Sequence, residues 1–137
     1  MSLGGGYTHA AFTADDPATG AIRGEQLQNV PPFTGTAAIN YRRAIGAGVT
    51  LLASINNQYV DARHDELGPL PAYDVVNAQV GAERGPWRVY LFGNNIADKR
   101  ILISDDNSLS LNIPSYNRIS AGIPRTVGIN LNYKFSN

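Results

Sequence analysis

The final stretch of the chain shows the pattern most plainly. From Arg125 to Phe135, Val127, Ile129, Leu131, Tyr133 and Phe135 alternate with Thr126, Gly128, Asn130, Asn132 and Lys134. Successive side chains of a strand point to opposite faces, so this spacing predicts a strand with one apolar and one polar face. The same period of two recurs upstream. Across Phe33–Arg42, Phe33, Ala37, Ile39 and Tyr41 share one face, and Thr34, Thr36, Asn40 and Arg42 the other. Across Val49–Tyr59, Val49, Leu51, Ala53, Ile55 and Tyr59 oppose Thr50, Ser54, Asn56 and Gln58, with Leu52 as the exception. Tyr73–Ala82 and Trp87–Ile96 are rich in β-branched and aromatic residues, lack helical spacing, and are joined by the turn residues Glu83-Arg84-Gly85-Pro86. Gly5–Ala14 predicts a first strand. The expectation is an all-β chain, an antiparallel up-and-down meander of about six long strands.

Two regularities narrow the class. The strands are about ten residues long, enough to cross a bilayer at a tilt of ~45°. The connections alternate between long (15–32, 60–72, 98–123) and short (43–48, 83–86). Outer-membrane barrels have short turns on one side and long loops on the other, whereas soluble sandwiches favour shorter strands. Tyr41, Tyr59, Tyr73, Trp87, Tyr133 and Phe135 fall near strand ends, where interfacial girdles place aromatics.

Composition changes the picture only by exclusion. The 137 residues suit one domain, and a formal net charge of zero makes neither nucleic acid nor an acidic membrane surface an obvious partner. Without cysteine there is no disulfide, thiolate nucleophile or cysteine metal site. No apolar run approaches the ~18–20 residues of a membrane-spanning helix, a test to which alternating barrel strands are blind. Met1-Ser2-Leu3 has neither a basic segment nor an apolar run and reads as an expression leader, with residues 4–137 as a piece of something longer.

Four stretches carry a family resemblance. Asn94-Asn95-Ile96-Ala97-Asp98-Lys99-Arg100 resembles the N-N-L-x-D-K-x-Y signature near the C-terminus of TonB-dependent outer-membrane receptors. Asn29-Val30-Pro31-Pro32-Phe33 resembles the family's entry to a barrel strand. Leu70-Pro71-Ala72-Tyr73-Asp74-Val75-Val76 resembles its L-P-A-Y-T-L-V-D strand start, and Pro124–Phe135 its final strand. The resemblance implies the C-terminal part of a plugged transmembrane β-barrel of about 22 strands. It implies a location in the outer membrane of a Gram-negative bacterium and energised uptake of a siderophore, cobalamin or similar scarce solute. Implied partners are outer-membrane lipid, the barrel-assembly machinery, that solute, and the TonB complex through parts upstream of this chain. Such receptors usually end on the terminal aromatic, whereas here Ser136 and Asn137 follow Phe135.

The residues themselves offer little chemistry. His9 and His64 stand in no metal-ligand spacing, no Gly-x-Ser-x-Gly elbow occurs, and Gly46 and Gly48 form a strand-to-strand turn rather than a phosphate cradle. The chain is therefore not expected to be an enzyme, nor to hold a cofactor or metal. Asp15-Asp16, Asp65-Glu66 and Asp105-Asp106 lie in the long connections; solvated loops explain them better than calcium, because no EF-hand spacing is present. Arg63 and His64 are candidate contacts for an anionic solute. Asn94, Asn95, Asp98 and Arg100 are expected to end a strand and start an outer loop. The alternative fold is a complete soluble β-barrel or sandwich that binds a ligand or partner. A piece of barrel in water has raw strand edges and an uncovered apolar face, so self-association through its edges is expected.

Overall fold

The computed structural model describes residues 1–65, 67–106 and 118–135; Glu66, Ser136 and Asn137 therefore lie outside the described residues. The strands are β1 (Ser2–Tyr7), β2 (Phe33–Gly46), β3 (Val49–Val60), β4 (Arg63–Asp65), β5 (Gly68–Leu70), β6 (Tyr73–Arg84), β7 (Trp87–Asn94), β8 (Leu102–Asp106), β9 (Arg118–Ala121) and β10 (Thr126–Tyr133). Six of them form one antiparallel sheet in the order β1-β2-β3-β6-β7-β10. β4–β5 and β8–β9 are separate two-stranded hairpins. This is the expected all-β meander, with two small hairpins set into its long connections.

The register carries the alternation from strand to strand, since directly opposed residues of an antiparallel pair share a face. Ile39 lies opposite Ile55, and Ile55 opposite Ala78. Val80 lies opposite Leu91, and Leu91 opposite Ile129. One apolar face therefore runs unbroken across the sheet. It is bare: Leu91 is 55% exposed, Ile129 70% and Val127 73%. No second sheet covers it among the described residues, unlike a sandwich. The opposite face carries Asn40, Ser54, Asn56, Gln58, Asn77, Gln79, Asn130 and Asn132. There the Asn77 Nδ2 donates to the Asn56 Oδ1 at 3.0 Å.

Both short turns follow from local chemistry. Gly85 (φ 55°) and Pro86 join β6 to β7; a glycine with positive φ in the first central position suits the twist of a hairpin. At the β2–β3 turn, Gly46, Ala47 and Gly48 all have positive φ, and the pairing slips by one residue between Ala44 and Gly46. β2 thus continues to Gly46, so Arg43 belongs to the strand rather than to the turn expected at 43–48.

Other boundaries move as well. The first strand is Ser2–Tyr7 rather than 5–14, with Ser2 and Leu3 opposite Ala38 and Ala37. β7 ends at Asn94 rather than Ile96, because Asn95 adopts φ 47° and leaves the extended region. Two glycines of the polar face make room for rings. A Cβ on Gly128 would lie 2.7 Å from the Phe92 ring, and one on Gly81 would collide with the Val89 carbonyl and the Tyr90 ring.

The bare face makes a prediction for the isolated chain. In detergent-free buffer it is expected to elute as oligomers on size exclusion and to bind an apolar dye. A monodisperse monomer that binds no dye would contradict this reading of the sheet.

Candidate functional site

All three long connections leave the same end of the sheet: 8–32 after β1, 61–72 after β3, and 95–125 after β7. Side chains tie them together. Asp65 takes a hydrogen bond from the Asn29 Nδ2 at 3.0 Å through Oδ1, and one from the Asp105 amide at 2.7 Å through Oδ2. One carboxylate thus joins the first, second and third connections. The Asn29 amide also donates to the His64 carbonyl at 2.7 Å, helped by the positive φ of Asn29.

Arg63 adds a second link. It is only 6% exposed, its Nη2 donates to the Ile103 carbonyl at 2.6 Å, and its guanidinium lies 5.7 Å from the Tyr73 ring centre. Its Nη1 is buried without a hydrogen-bond partner among the described residues. His64, next along β4, is exposed. The two candidate contacts therefore occupy one short strand but different environments. Of the acidic pairs, Asp65 and the Asp105 backbone meet directly, whereas Glu66 lies outside the described residues. No group of three or more His, Cys, Asp or Glu positioned for a metal occurs among the described residues.

The Asn94–Arg100 segment forms the foot of the third connection. Asn95 is 2% exposed, and its side chain is fully engaged. Its Nδ2 donates to the carbonyls of Lys99 (2.9 Å) and Ile123 (3.1 Å), and its Oδ1 accepts from the Lys99 amide at 3.0 Å. Its own amide donates to the Asn77 Oδ1 at 3.0 Å. One asparagine so fastens the outgoing strand, the returning strand and the neighbouring wall. Asp98, at φ 54°, donates its amide to the Asn95 carbonyl and pairs with Arg125 at 3.6 Å. Asn94 ends β7 opposite Thr126, and Arg100 is exposed.

At the tip of the first connection, Asp16 accepts from the Ala18 amide and the Thr19 hydroxyl, both at 3.0 Å. The Ala18 amide foremost, then the Thr19 hydroxyl, holds its carboxyl below the ordinary value of 3.8. These hydrogen bonds favour the ionised form.

Aromatic groups mark both ends of the apolar face. At the loop end, the Phe33 and Tyr59 ring centres are 6.1 Å apart, and Tyr7 is opposite Phe33. At the turn end, Tyr133 meets Trp87 at 4.7 Å and Phe135 at 4.8 Å, both edge-on. Tyr41 shares this face. Tyr73 does not: its parity places it on the polar face under Arg63, because the register pairs it with Val60. The alternation of β2 carries the signal for Phe33, and Tyr7 joins it through the β1–β2 register. From Val49 to Tyr59, ten steps of ~3.3 Å at a tilt of ~40° rise about 25 Å, the height of a barrel's apolar band.

Two outcomes follow. Asn95→Ala should destabilise the folded barrel by about 2–4 kcal/mol in denaturant unfolding, since it strands several buried backbone groups at once. The Asp16 contribution is complete above the ordinary carboxyl value and lost as pH falls through the lower folded value, so the tip should loosen only below about pH 4. Protease cleavage within residues 15–23 as a function of pH reads this directly, and Asp16→Ala should cleave readily at neutral pH.

A family model described as "TonB dependent receptor-like, beta-barrel" matches residues 1–96, which include β1, β2, β3, β6 and β7. No curated protein matches the chain significantly, and no solved structure does. The matched span is well over half of the chain, and with the bare apolar face, the polar opposite face and the aromatic groups at both ends it places this chain in the TonB-dependent receptor-like β-barrel family of outer-membrane receptors.

Proposed function

We propose that the receptor of which this chain is a part imports a siderophore, a cobalamin or a similarly scarce solute across the outer membrane of a Gram-negative bacterium, in a step energised through TonB. The observation that carries this reading is the knot of three connections at one end of a polar wall, joined through Asp65 and Arg63. Such a knot forms a floor against which a solute arriving from outside is held before it passes the polar face.

Arg63 and His64 are the proposed contacts for an anionic chelate. The unpaired Nη1 of Arg63 supports this, because a carboxylate or catecholate oxygen that reached it would satisfy a buried donor that the described residues leave without a partner. His64, the next residue of β4, is exposed to solvent. Asn56, Asn77 and Gln79 below then offer neutral hydrogen-bonding groups, which hold a polar solute without trapping its charge.

The chain's part in transport is wall, inner face and outer floor. The proposed partners are therefore lipid on the apolar face, the assembly machinery that inserts barrels, and TonB through segments outside this chain.

A strain lacking the receptor should lose growth on one chelated metal or on cobalamin, and complementation should restore it only while TonB is present. The Arg63→Ala/His64→Ala double variant should raise the solute concentration for half-maximal uptake by on the order of tenfold, the loss of one charge-assisted hydrogen bond. Unchanged growth of the deletion strain on every such solute would overturn the proposed transport; an unchanged double variant would remove only the two contacts.

A further inference from the structure

The charges on the inner side of the wall, Arg42, Glu83 and Arg88, are paired. Arg42 meets Glu83 at 2.9 Å, and Arg88 meets the same carboxylate from β7. Two arginines stand apart. Arg43 is opposite Leu51, in a row that continues through Ala82 and Val89 to Leu131. Arg84 is opposite Val49 on one side and Trp87 on the other. Both rows belong to the outward, apolar face. Both arginines are exposed, and neither has a hydrogen bond or ion pair with a described residue.

Their position is as telling as their orientation. Both lie at the short-turn end of the sheet, beside the Trp87–Tyr133–Phe135 stack and Tyr41. The acidic residue on the same face, Asp74, is at the loop end and already accepts from the Asn57 Nδ2 at 3.3 Å. One strand and two residues separate the two arginines, so their Cα atoms are about 12 Å apart. Two guanidinium groups on long stems converge easily over that span. An unpaired arginine on a lipid-facing wall is costly unless it reaches the interface and finds an anion there. The anion available at that depth is a headgroup phosphate, which matches the fork of a guanidinium.

We propose that Arg43 and Arg84 together bind the headgroup phosphate of an anionic phospholipid in the leaflet on the short-turn side of the membrane. The site rests on the barrel reading, because only there does this face meet lipid. Aromatic side chains beside it would cover the upper acyl chains, and the arginines would set the depth of the wall in the bilayer.

The test uses the complete receptor in neutral detergent. Added phosphatidylglycerol should raise its thermal midpoint more than phosphatidylcholine does, and the difference should shrink with salt. In Arg43→Gln/Arg84→Gln the retained phosphatidylglycerol should fall on the order of tenfold, whereas Arg43→Lys/Arg84→Lys should keep most of the preference. Arg23→Gln, the same charge change in the first connection, should leave it untouched. An undiminished preference in the glutamine variant would overturn the proposal, as would equal stabilisation by inorganic phosphate. The heat-dependent mobility of a folded barrel on a gel, read in the same samples, reports separately on the barrel. Its absence from the wild-type receptor would count against the family reading rather than against the arginine pair.

Discussion

A wall that faces hydrocarbon has no water on that side to satisfy a stray amide or carbonyl, so each backbone group must be answered by the next strand. That constraint shapes this chain more than any side chain. β3 illustrates it: from Val49 to Val60 its residues are paired with β2 on one side and β6 on the other, without a slip on the β6 side. Once the ladder is continuous, the pleat leaves only two directions for a side chain. Ile55 and Asn56 are adjacent in sequence and chemically opposite because one belongs to the apolar face and the other to the polar face. The outer strands β1 and β10 each leave one edge unpaired within this chain, where the remaining strands of the barrel would continue the ladder.

The loop end obeys the same constraint by other means. Where the ladder stops after Asn94, the backbone turns sharply and several of its polar groups lose their strand partner. Asn95 replaces them with its own amide, reaching Lys99 and Ile123 at once. Asp65 does a comparable service farther out, between segments about forty residues apart in the chain. Both are short polar side chains at places where the chain crosses itself. The turn end needs nothing of the kind, because Gly85-Pro86 closes its hairpin by backbone geometry alone.

The wall was largely legible in the sequence because its signal is periodic. Val127 to Phe135 alternates so cleanly that face and strand follow together, and the register then extends the assignment to β7. Where side chains do not alternate, the sequence says less. Ser2–Tyr7 is three glycines among small residues, so its strand is defined by pairing with β2 rather than by pattern. Arg43 looked like a turn residue because arginine does not belong on an apolar face, which is also why its true position carries information. Tyr73 near a strand end resembled a girdle residue, but its face depends on the Val60 register, a long-range fact. Within the loops, the links through Arg63 and Asp65 join residues whose proximity no local pattern announces. The β4–β5 and β8–β9 hairpins are too short for period two to show.

Every pairing in the wall joins strands that follow one another along the chain, once the two loop hairpins are set aside. The long connections therefore enter and leave the wall at fixed, adjacent points, and their length has no bearing on which residue faces which way. The two-residue turns have no such freedom, since one inserted residue there would turn lipid-facing side chains inward along a whole strand. Beyond the foot that Asn95 holds, the outer connections can change in length and sequence without moving the register of the wall, so what is recognised and what forms the wall are separated along a single polypeptide.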